Sequence, residues 1–433
     1  MPPGAGYVVS SIMQPEALQS VRALRILLVS EDIPGVAMGG LAKHVFALAN
    51  ALAEAGHIVD LMGNNTADPD DVSLSLSLPG KFFGDLTGAH VGWKESTLGC
   101  FMPPRRALVA RRFARSIMRR APGYEVIHYH GHVPDVAAFI PRDINFLQTR
   151  HDQGADCLVH TRFKGGAICN EIIPERCAEC ITTHPNPVQK WISEMAVSQY
   201  RRRVALGMQR HKTVFVSDML RRNLARTFGG HGSDWGQVIH NFIDWRSLQR
   251  HMPHPPRRSE GAKVTVLIAS KLYPPKGVKE FLESFAQQVP ANMHILIAGD
   301  GPDTQGLKAK YSSESVQFLG WCDHSTVLER TALANAIVVP STWEEPCATT
   351  VLEGLALGCK VFALDRGGTP ELLRFQNYTG QLMLFSTMAE LACALAQFSP
   401  SETRSPPVAQ SADVRLRLPE LLAAYRQRLQ PAL

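Results

Sequence analysis

Short apolar runs and amphipathic stretches alternate along this chain. Leu24-Arg-Ile-Leu-Leu-Val-Ser30 is an almost continuous apolar run, the pattern of a strand buried on both faces. From Leu41 onward the apolar positions Val45, Leu48, Ala49 and Leu52 recur at helical spacing, and Gly56 closes that helix before a second run, Ile58 to Met62. The same alternation returns at Glu125 to His130, Ile144 to Gln148 and Thr213 to Ser217. It appears again from Val264, at Ile295 to Ala298, Val316 to Gly320, Ile337 to Val339 and Val361 to Leu364. Strands separated by helical patterns predict strand-helix-strand units and parallel sheets, an α/β fold. At 433 residues the chain exceeds one ordinary core and fits two domains of roughly 200 residues each. We place the first at 1–245, a Pro- and Arg-rich linker at 246–262, the second at 263–410 and a terminal helix, Pro419 to Leu429, within 411–433.

The densest chemistry lies in Ile337 to Glu371, IVVPSTWEEPCATTVLEGLALGCKVFALDRGGTPE. It reads as a buried strand, a polar loop, a short helix from near Thr350, a stop at Gly358, a second strand and a Gly-Gly turn. Glu345 falls in the loop and Glu353 in the helix's first turn. Loops at the carboxyl ends of parallel strands line ligand crevices, so both carboxylates can face one crevice. Thr350-x-x-Glu353 also fits a capping box, and Glu345 alone fits a solvated loop acid. Gly39-Gly40 stands where the first helix begins, where N–H groups meet anions. His151 follows the strand ending near Gln148; His130 ends the strand before it and His132 follows that strand.

Hydrophobic residues at 45% and charged ones at 19% describe a globular protein. No apolar run approaches the ~20 residues of a membrane helix, and the first twenty residues lack a signal-peptide pattern. Cytoplasm is the expectation. A net charge of +6 suits anionic ligands without choosing among them. Arg105 to Arg120 is a basic helical stretch in which Leu108, Phe113, Ile117 and Met118 form an apolar stripe. That stripe fits either an interfacial membrane helix or a surface helix packed on the sheet. Cys157, Cys169, Cys177 and Cys180 spell C-x11-C-x7-C-x2-C, four of nine cysteines within a 157–185 insertion. Thiols crowded in a reducing compartment point to metal rather than disulfides. Structural zinc, an iron-sulfur cluster and unligated thiols all remain open.

PSTWEEPCATTVLEG followed by GGTPE resembles the signature of family 4 (group 1) retaining glycosyltransferases, which have the GT-B fold: two Rossmann-like domains facing across a cleft. The Glu-x7-Glu motif of that family is Glu345 to Glu353 here. The resemblance implies that Glu353 accepts hydrogen bonds from the ribose of a nucleotide sugar and that Glu345 contacts the transferred sugar. It implies that Gly39-Gly40 lies near the donor diphosphate and acceptor, and His151 near the reacting sugar. Lys276, with Lys271 in the place of the family's arginine, would cradle the departing diphosphate. The loop of Gly299 and Gly301, with Thr349 and Thr350, would meet the nucleotide. A subset of the family carries a similar cysteine cluster, and the terminal helix would cross back to the first domain. The chain departs from the pattern at Cys347-Ala348, usually aromatic and glycine, and at Asn241-Phe242, usually Asn-Gly. The expected reaction moves a hexose-type sugar from a UDP-, GDP- or ADP-sugar to a glycan, lipid-linked or small-molecule acceptor, with no catalytic metal and no nucleic-acid partner. Peripheral membrane contact would run through Arg105 to Arg120. The alternatives are a phosphorylase or epimerase on the same fold, or a non-catalytic nucleic-acid-binding protein with a metal-bound cysteine cluster.

Overall fold

A computed structural model describes residues 22–33, 40–64, 80–86, 103–182, 186–250, 263–286, 289–399 and 411–427. In its first half, β1 (Arg25–Val29), β2 (Ile58–Asn64), β3 (Phe82–Leu86), β4 (Val126–His130) and β5 (Phe146–Arg150) join one sheet. A small antiparallel hairpin of β6 (Phe163–Lys164) and β7 (Ala167–Ile168) stands apart, and β8 (Lys212–Phe215) and β9 (Gln237–Val238) complete the first sheet. Its order is β3-β2-β1-β4-β5-β8-β9, with parallel pairing throughout. The second half holds β10 (Val264–Ala269), β11 (Met293–Ala298), β12 (Val316–Gly320), β13 (Ala336–Val339), β14 (Lys360–Leu364) and β15 (Leu382–Phe385). These form a parallel sheet in the order β12-β11-β10-β13-β14-β15, the doubly wound arrangement of a Rossmann-like domain.

The apolar continuity of the strands follows from burial on both sides. In β1, Ile26 and Leu28 pack with Val45, Leu48 and Leu52 of the Gly40–Glu54 helix. Leu27 and Val29 point the other way, onto Phe113 and Ile117 of the Pro103–Arg120 helix. In β10, Val266 and Ile268 face one core and Leu267 the other. Each fully buried Leu or Ile contributes roughly 2 kcal/mol relative to an exposed one, so a polar residue at any of these positions would weigh against the fold.

The structure bears on three expectations. Of the Arg105–Arg120 stripe, Phe113 and Ile117 are buried in the core and Met118 is half-buried, whereas Leu108 is exposed; the stripe packs on the sheet, as any amphipathic helix covering a parallel sheet must. The linker begins with a helix, Trp245–Gln249, whose Trp245 and Leu248 join the second half's core; 251–262 lie outside the described residues. The terminal helix runs Val414–Arg426 with Pro419 inside it. It starts early because a bridge holds its entry: Ile243 N–H donates to Ala412 O, and Val414 N–H to Ile243 O, both at 2.9 Å. Val414, Leu418, Leu421, Leu422 and Tyr425 of this helix then bury in the first half's core. Among the described residues, no helix is long and apolar enough to cross a membrane.

Candidate active site

Strand order reverses between β1 and β4 in one sheet and between β10 and β13 in the other. Parallel sheets open a crevice at such switch points, beyond the carboxyl ends of the strands. Here the two crevices meet in one cavity of about 240 Å³. The first half lines it with Gly40, Leu41, His132, His151, Val216 and Asn241; the second with Ala269, Ser270, Lys276, Ser341, Glu345, Cys347, Ala348, Thr349 and Thr350, among others. Two helix amino termini border it. The Gly40–Glu54 helix starts at the cavity, and the Thr349–Ala356 helix has Ala348 as its cap residue without a side-chain hydrogen bond. Uncapped N–H groups at such ends carry partial positive charge and accept an anion. The termini nearly touch: a Cβ on Gly40 would lie 3.5 Å from Thr349 Oγ1. Gly39 lies outside the described residues.

Glu345 sits at this junction, 6% exposed. Lys276 Nζ donates to its Oε1, and Ser341 Oγ donates to the same oxygen at 2.8 Å. Burial alone would raise this carboxyl, but the charge of Lys276 and the hydrogen bonds from it and from Ser341 together hold Glu345 below the usual range. Lys276 is kept charged in turn: burial opposes its charge, and Glu345 more than offsets that. The Gly-Gly turn fixes the loop from below. Gly367 has φ +60°, its Cβ would fall 2.6 Å from the Glu345 nitrogen, and Gly368 N–H donates to Glu345 O at 2.7 Å. Only glycine combines that φ with so close an approach.

Glu353 proves not to be part of a capping box. The helix starts at Thr349, so Thr350 is already helical and Glu353 lies in the second turn. Its carboxylate instead meets His324 Nε2 at 2.8 Å and, from the first half, Lys43 Nζ at 3.8 Å. Burial pushes Glu353 upward; Lys43 and His324 prevail and keep its pKa lowered. The carboxylate is not among the residues lining the cavity and lies one turn beyond Thr349 and Thr350.

His151 reaches the cavity from the end of β5 within a group of imidazoles. His130 Nδ1 and His151 Nε2 are 3.1 Å apart, and the His44 ring lies 4.5 Å from that of His151. His44 Nδ1–H donates to Asn241 Oδ1 at 2.6 Å while its ring stacks on Phe242 at 4.1 Å. That stacking gives a local reason for the Asn-Phe pair in place of Asn-Gly. Beside them, Asp152 joins His132, His160 (3.1 Å) and Arg150 (3.1 Å). Two triplets, His44-His130-His151 and His132-Asp152-His160, each bring ligand atoms within 4.8 Å of one another, compact enough to share an ion; the second is already linked by hydrogen bonds. Sequence reasoning missed His44 and its pairing with Asn241. The available signal for His44 was a polar residue on the apolar face of its helix.

Burial lowers His44 and His160 to about 4 and sets His128, His130 and His151 well below the ordinary value. A folded-state pKa depressed below an unfolded value near 6.5 gives stability that is fully present above ~6.5 and is lost as pH falls toward the folded value. Each such histidine steepens the loss by on the order of 1 kcal/mol per pH unit. The expected outcome is a melting temperature that drops sharply from pH 7 to 5; a flat profile over that window would show these imidazoles to be solvated.

The remaining expected residues sit elsewhere. Lys271 is exposed, with Nζ 5.5 Å from the Tyr273 ring centre, and is not among those lining the cavity, although its neighbour Ser270 is. Gly299 and Gly301 have a packing role: a Cβ on either would collide with the carbonyls of Ser270 and Leu272. Their loop buttresses the end of β10 rather than lining the cavity. Cys157, Cys169, Cys177 and Cys180 line a separate cavity.

Two Rossmann-like halves whose switch points close on one cavity give this chain the GT-B fold. Residues 38–246 match the family model of Glycosyltransferase Family 4, and residues 263–399 match that of glycosyl transferases group 1. The chain belongs to the family 4 glycosyltransferases. It is 24% identical over 388 residues to a glycogen synthase of Mycobacterium tuberculosis, covering 86% of this chain and 85% of that one. It is 23% identical over 345 residues to the phosphatidylinositol N-acetylglucosaminyltransferase gpi3 subunit of Schizosaccharomyces pombe, covering 77% and 65%. Among solved structures, Anabaena HepE in complex with UDP-glucose aligns at a TM-score of 0.58 and 17% identity, covering 92% of this chain and 98% of that one. The catalytic domain of Arabidopsis thaliana starch synthase IV bound to ADP and acarbose aligns at 0.59 and 13%, covering 94% and 100%.

Proposed function

We propose that the protein transfers a hexose-type sugar from a nucleoside diphosphate donor to a glycan, lipid-linked or small-molecule acceptor, with retention at the anomeric carbon. The Glu345–Lys276 pair beneath two facing helix amino termini carries this reading. Cleaving a sugar-phosphate bond develops charge on the departing diphosphate, and preorganised cations and N–H groups stabilise that charge most when water is excluded. Lys276 and the termini at Gly40 and Thr349 supply them, with Lys271 swinging in from the end of β10. Glu353 takes the ribose hydroxyls once the donor displaces Lys43. Glu345 is the only carboxylate among the described residues lining the cavity, and Lys276 occupies it, which argues against a double displacement through a carboxylate nucleophile. The acceptor hydroxyl then attacks on the leaving-group face and passes its proton to the departing phosphate oxygen. A cavity of about 240 Å³ falls below the roughly 300–1,000 Å³ of ordinary ligand sites, so the two halves must part to admit a donor. Support for the donor class comes from the neighbours bound to UDP-glucose and ADP. Support for a glycan or lipid-linked acceptor comes from the glycogen synthase and the gpi3 subunit.

The test is a thermal-shift panel of UDP-, GDP- and ADP-hexoses, followed by product analysis with the donor that stabilises the chain. A ligand at a hundred times its Kd adds about 2.7 kcal/mol. Retention requires an anomeric proton coupling in the product that matches the donor's. Inversion, or dependence on inorganic phosphate as the attacking group, would sink the reading.

The same reading includes peripheral contact at the cytoplasmic face of an anionic membrane. Outside the packed stripe, Arg105, Leu108, Arg111, Arg112 and Arg115 are exposed. Next to Ala107 lies a shallow groove lined by Trp191, Ile192 and Met195, all exposed. Cations around exposed large apolar groups suit an anionic interface. Sedimentation with phosphatidylglycerol vesicles should exceed that with phosphatidylcholine and weaken in Trp191→Ala; equal sedimentation with both would remove this part.

A further inference from the structure

The middle of the segment after β5 has no apolar core of its own, although Ala155, Leu158, Ala178 and Ile181 on either side of it are buried. Among the described residues, none from 159 to 176 contributes to the apolar clusters. Instead Cys157 follows the Gln153–Ala155 turn, and the β6–β7 hairpin, with Gly165 and Gly166 at positive φ at its tip, leads to Cys169. The short Pro174–Ala178 helix brings Cys177, and Cys180 follows it. All four thiols line one cavity of about 600 Å³.

The charges around that cavity are unevenly matched. Arg162 pairs with Asp156, Lys164 with Glu179 at 2.8 Å, and Arg176 with Glu171 at 3.5 Å. Arg201, only 8% exposed, has no such partner among the described residues. Its guanidinium donates to Asp156 O at 3.0 and 3.1 Å, to Ile172 O at 2.5 Å and to Cys177 Sγ at 3.2 Å. A buried guanidinium is destabilising unless a negative group compensates it. The atom in position to do so is the Cys177 sulfur, and a metal-bound sulfur is a thiolate. A zinc ion with four thiolates carries a net charge of −2, which Arg201 would meet.

We propose that Cys157, Cys169, Cys177 and Cys180 bind one zinc ion as four thiolates, with Arg201 donating to the Cys177 sulfur, and that this ion steadies the strap that carries His151 to Gln153. Arg201 ties the cavity to the strap through Asp156 O. Gln153 Nε2 donates to Glu344 O at 3.2 Å, and Asn223 Nδ2 donates both to Gln153 Oε1 and to Glu344 Oε2 at 2.8 Å. The strap therefore fastens the first half to the residue next to Glu345. Tetrahedral zinc with Zn–S near 2.3 Å puts neighbouring sulfurs about 3.8 Å apart. No three of the cysteine sulfurs yet lie within 4.8 Å of one another, so zinc uptake closes the hairpin onto the Pro174–Ala178 helix, and its binding energy orders the segment.

The experiment reads metal and local order, independently of any transferase activity. Protein purified under reducing conditions is analysed for zinc, iron and acid-labile sulfide, stripped with a chelator, and returned to zinc while hydrogen exchange is followed over 157–182. The expected result is one zinc per chain, regained on reconstitution, with exchange in 157–182 slowed on uptake. Cys177→Ser and Cys180→Ser should each retain less than a tenth of the zinc. Arg201→Met should keep the site but weaken it about 10–100-fold in chelator competition. Stripped wild-type protein that takes up no zinc at micromolar concentration, or zinc retained in full by both cysteine variants, overturns the site. Iron with equimolar sulfide overturns zinc in favour of a cluster, and unchanged affinity in Arg201→Met overturns the role of Arg201.

Discussion

Glu345→Gln should lower turnover by about 10²–10³-fold while changing donor affinity only severalfold, the size of loss seen when one preorganised electrostatic contact is removed from a transition state. The substitution keeps the shape of the side chain and its bond from Ser341 Oγ but cancels the charge that holds Lys276. Freed of its partner, Lys276 is no longer fixed where the proposed reaction needs it, beside the departing diphosphate. Removing one member of a buried pair usually costs 3–5 kcal/mol; here Lys276 keeps 23% of its side chain in solvent, so a smaller fall in melting temperature is expected. Steady-state kinetics on folded variant protein checks this, since a contact made only in the transition state appears in kcat rather than in KM. Turnover equal to that of the parent chain would reduce Glu345 to an anchor for its loop.

Glu353→Ala should act on the other parameter. A charged acceptor holding two ribose hydroxyls is worth about 1.5–3 kcal/mol per bond, so donor affinity should fall a hundredfold or more. The donor-induced rise in melting temperature should then vanish at concentrations that saturate the parent. No cap is lost, because Ala348 begins the helix, and alanine favours the helix interior. The Lys43 and His324 contacts would go, so the unliganded protein should lose a little stability at the junction of the two halves. An unchanged donor Kd would mean that Glu353 only fastens Lys43 and His324.

The two carboxylates illustrate how much of the site was legible in the residue order. Their spacing and their place after a buried strand put both near one crevice, but the same letters allowed a capping box at Thr350. That question turned on where the helix begins, and a two-residue shift of its cap from Thr350 to Ala348 removed the box. Element ends depend on which N–H groups find partners, and at Ala348 the tertiary setting leaves them facing a cavity rather than a side chain.

Local patterning by itself determined the alternation of strands and helices, hence two parallel sheets, because burial on both faces imposes apolar continuity on a strand whatever surrounds it. It also marked the turn after β14, where Gly367 takes a positive φ; the need for glycine at 368 is tertiary, because a Cβ there would meet Pro346 O and Ser217 of the other half. Only the tertiary structure decided which charges meet. Lys276 and Glu345 are 69 positions apart, His44 and Asn241 are 197, and Lys43 reaches Glu353 from the other half of the chain. No periodicity encodes such pairs. They arise because two strand-order reversals, each invisible to any one segment, open toward the same space, and because burial there makes every unpartnered charge expensive.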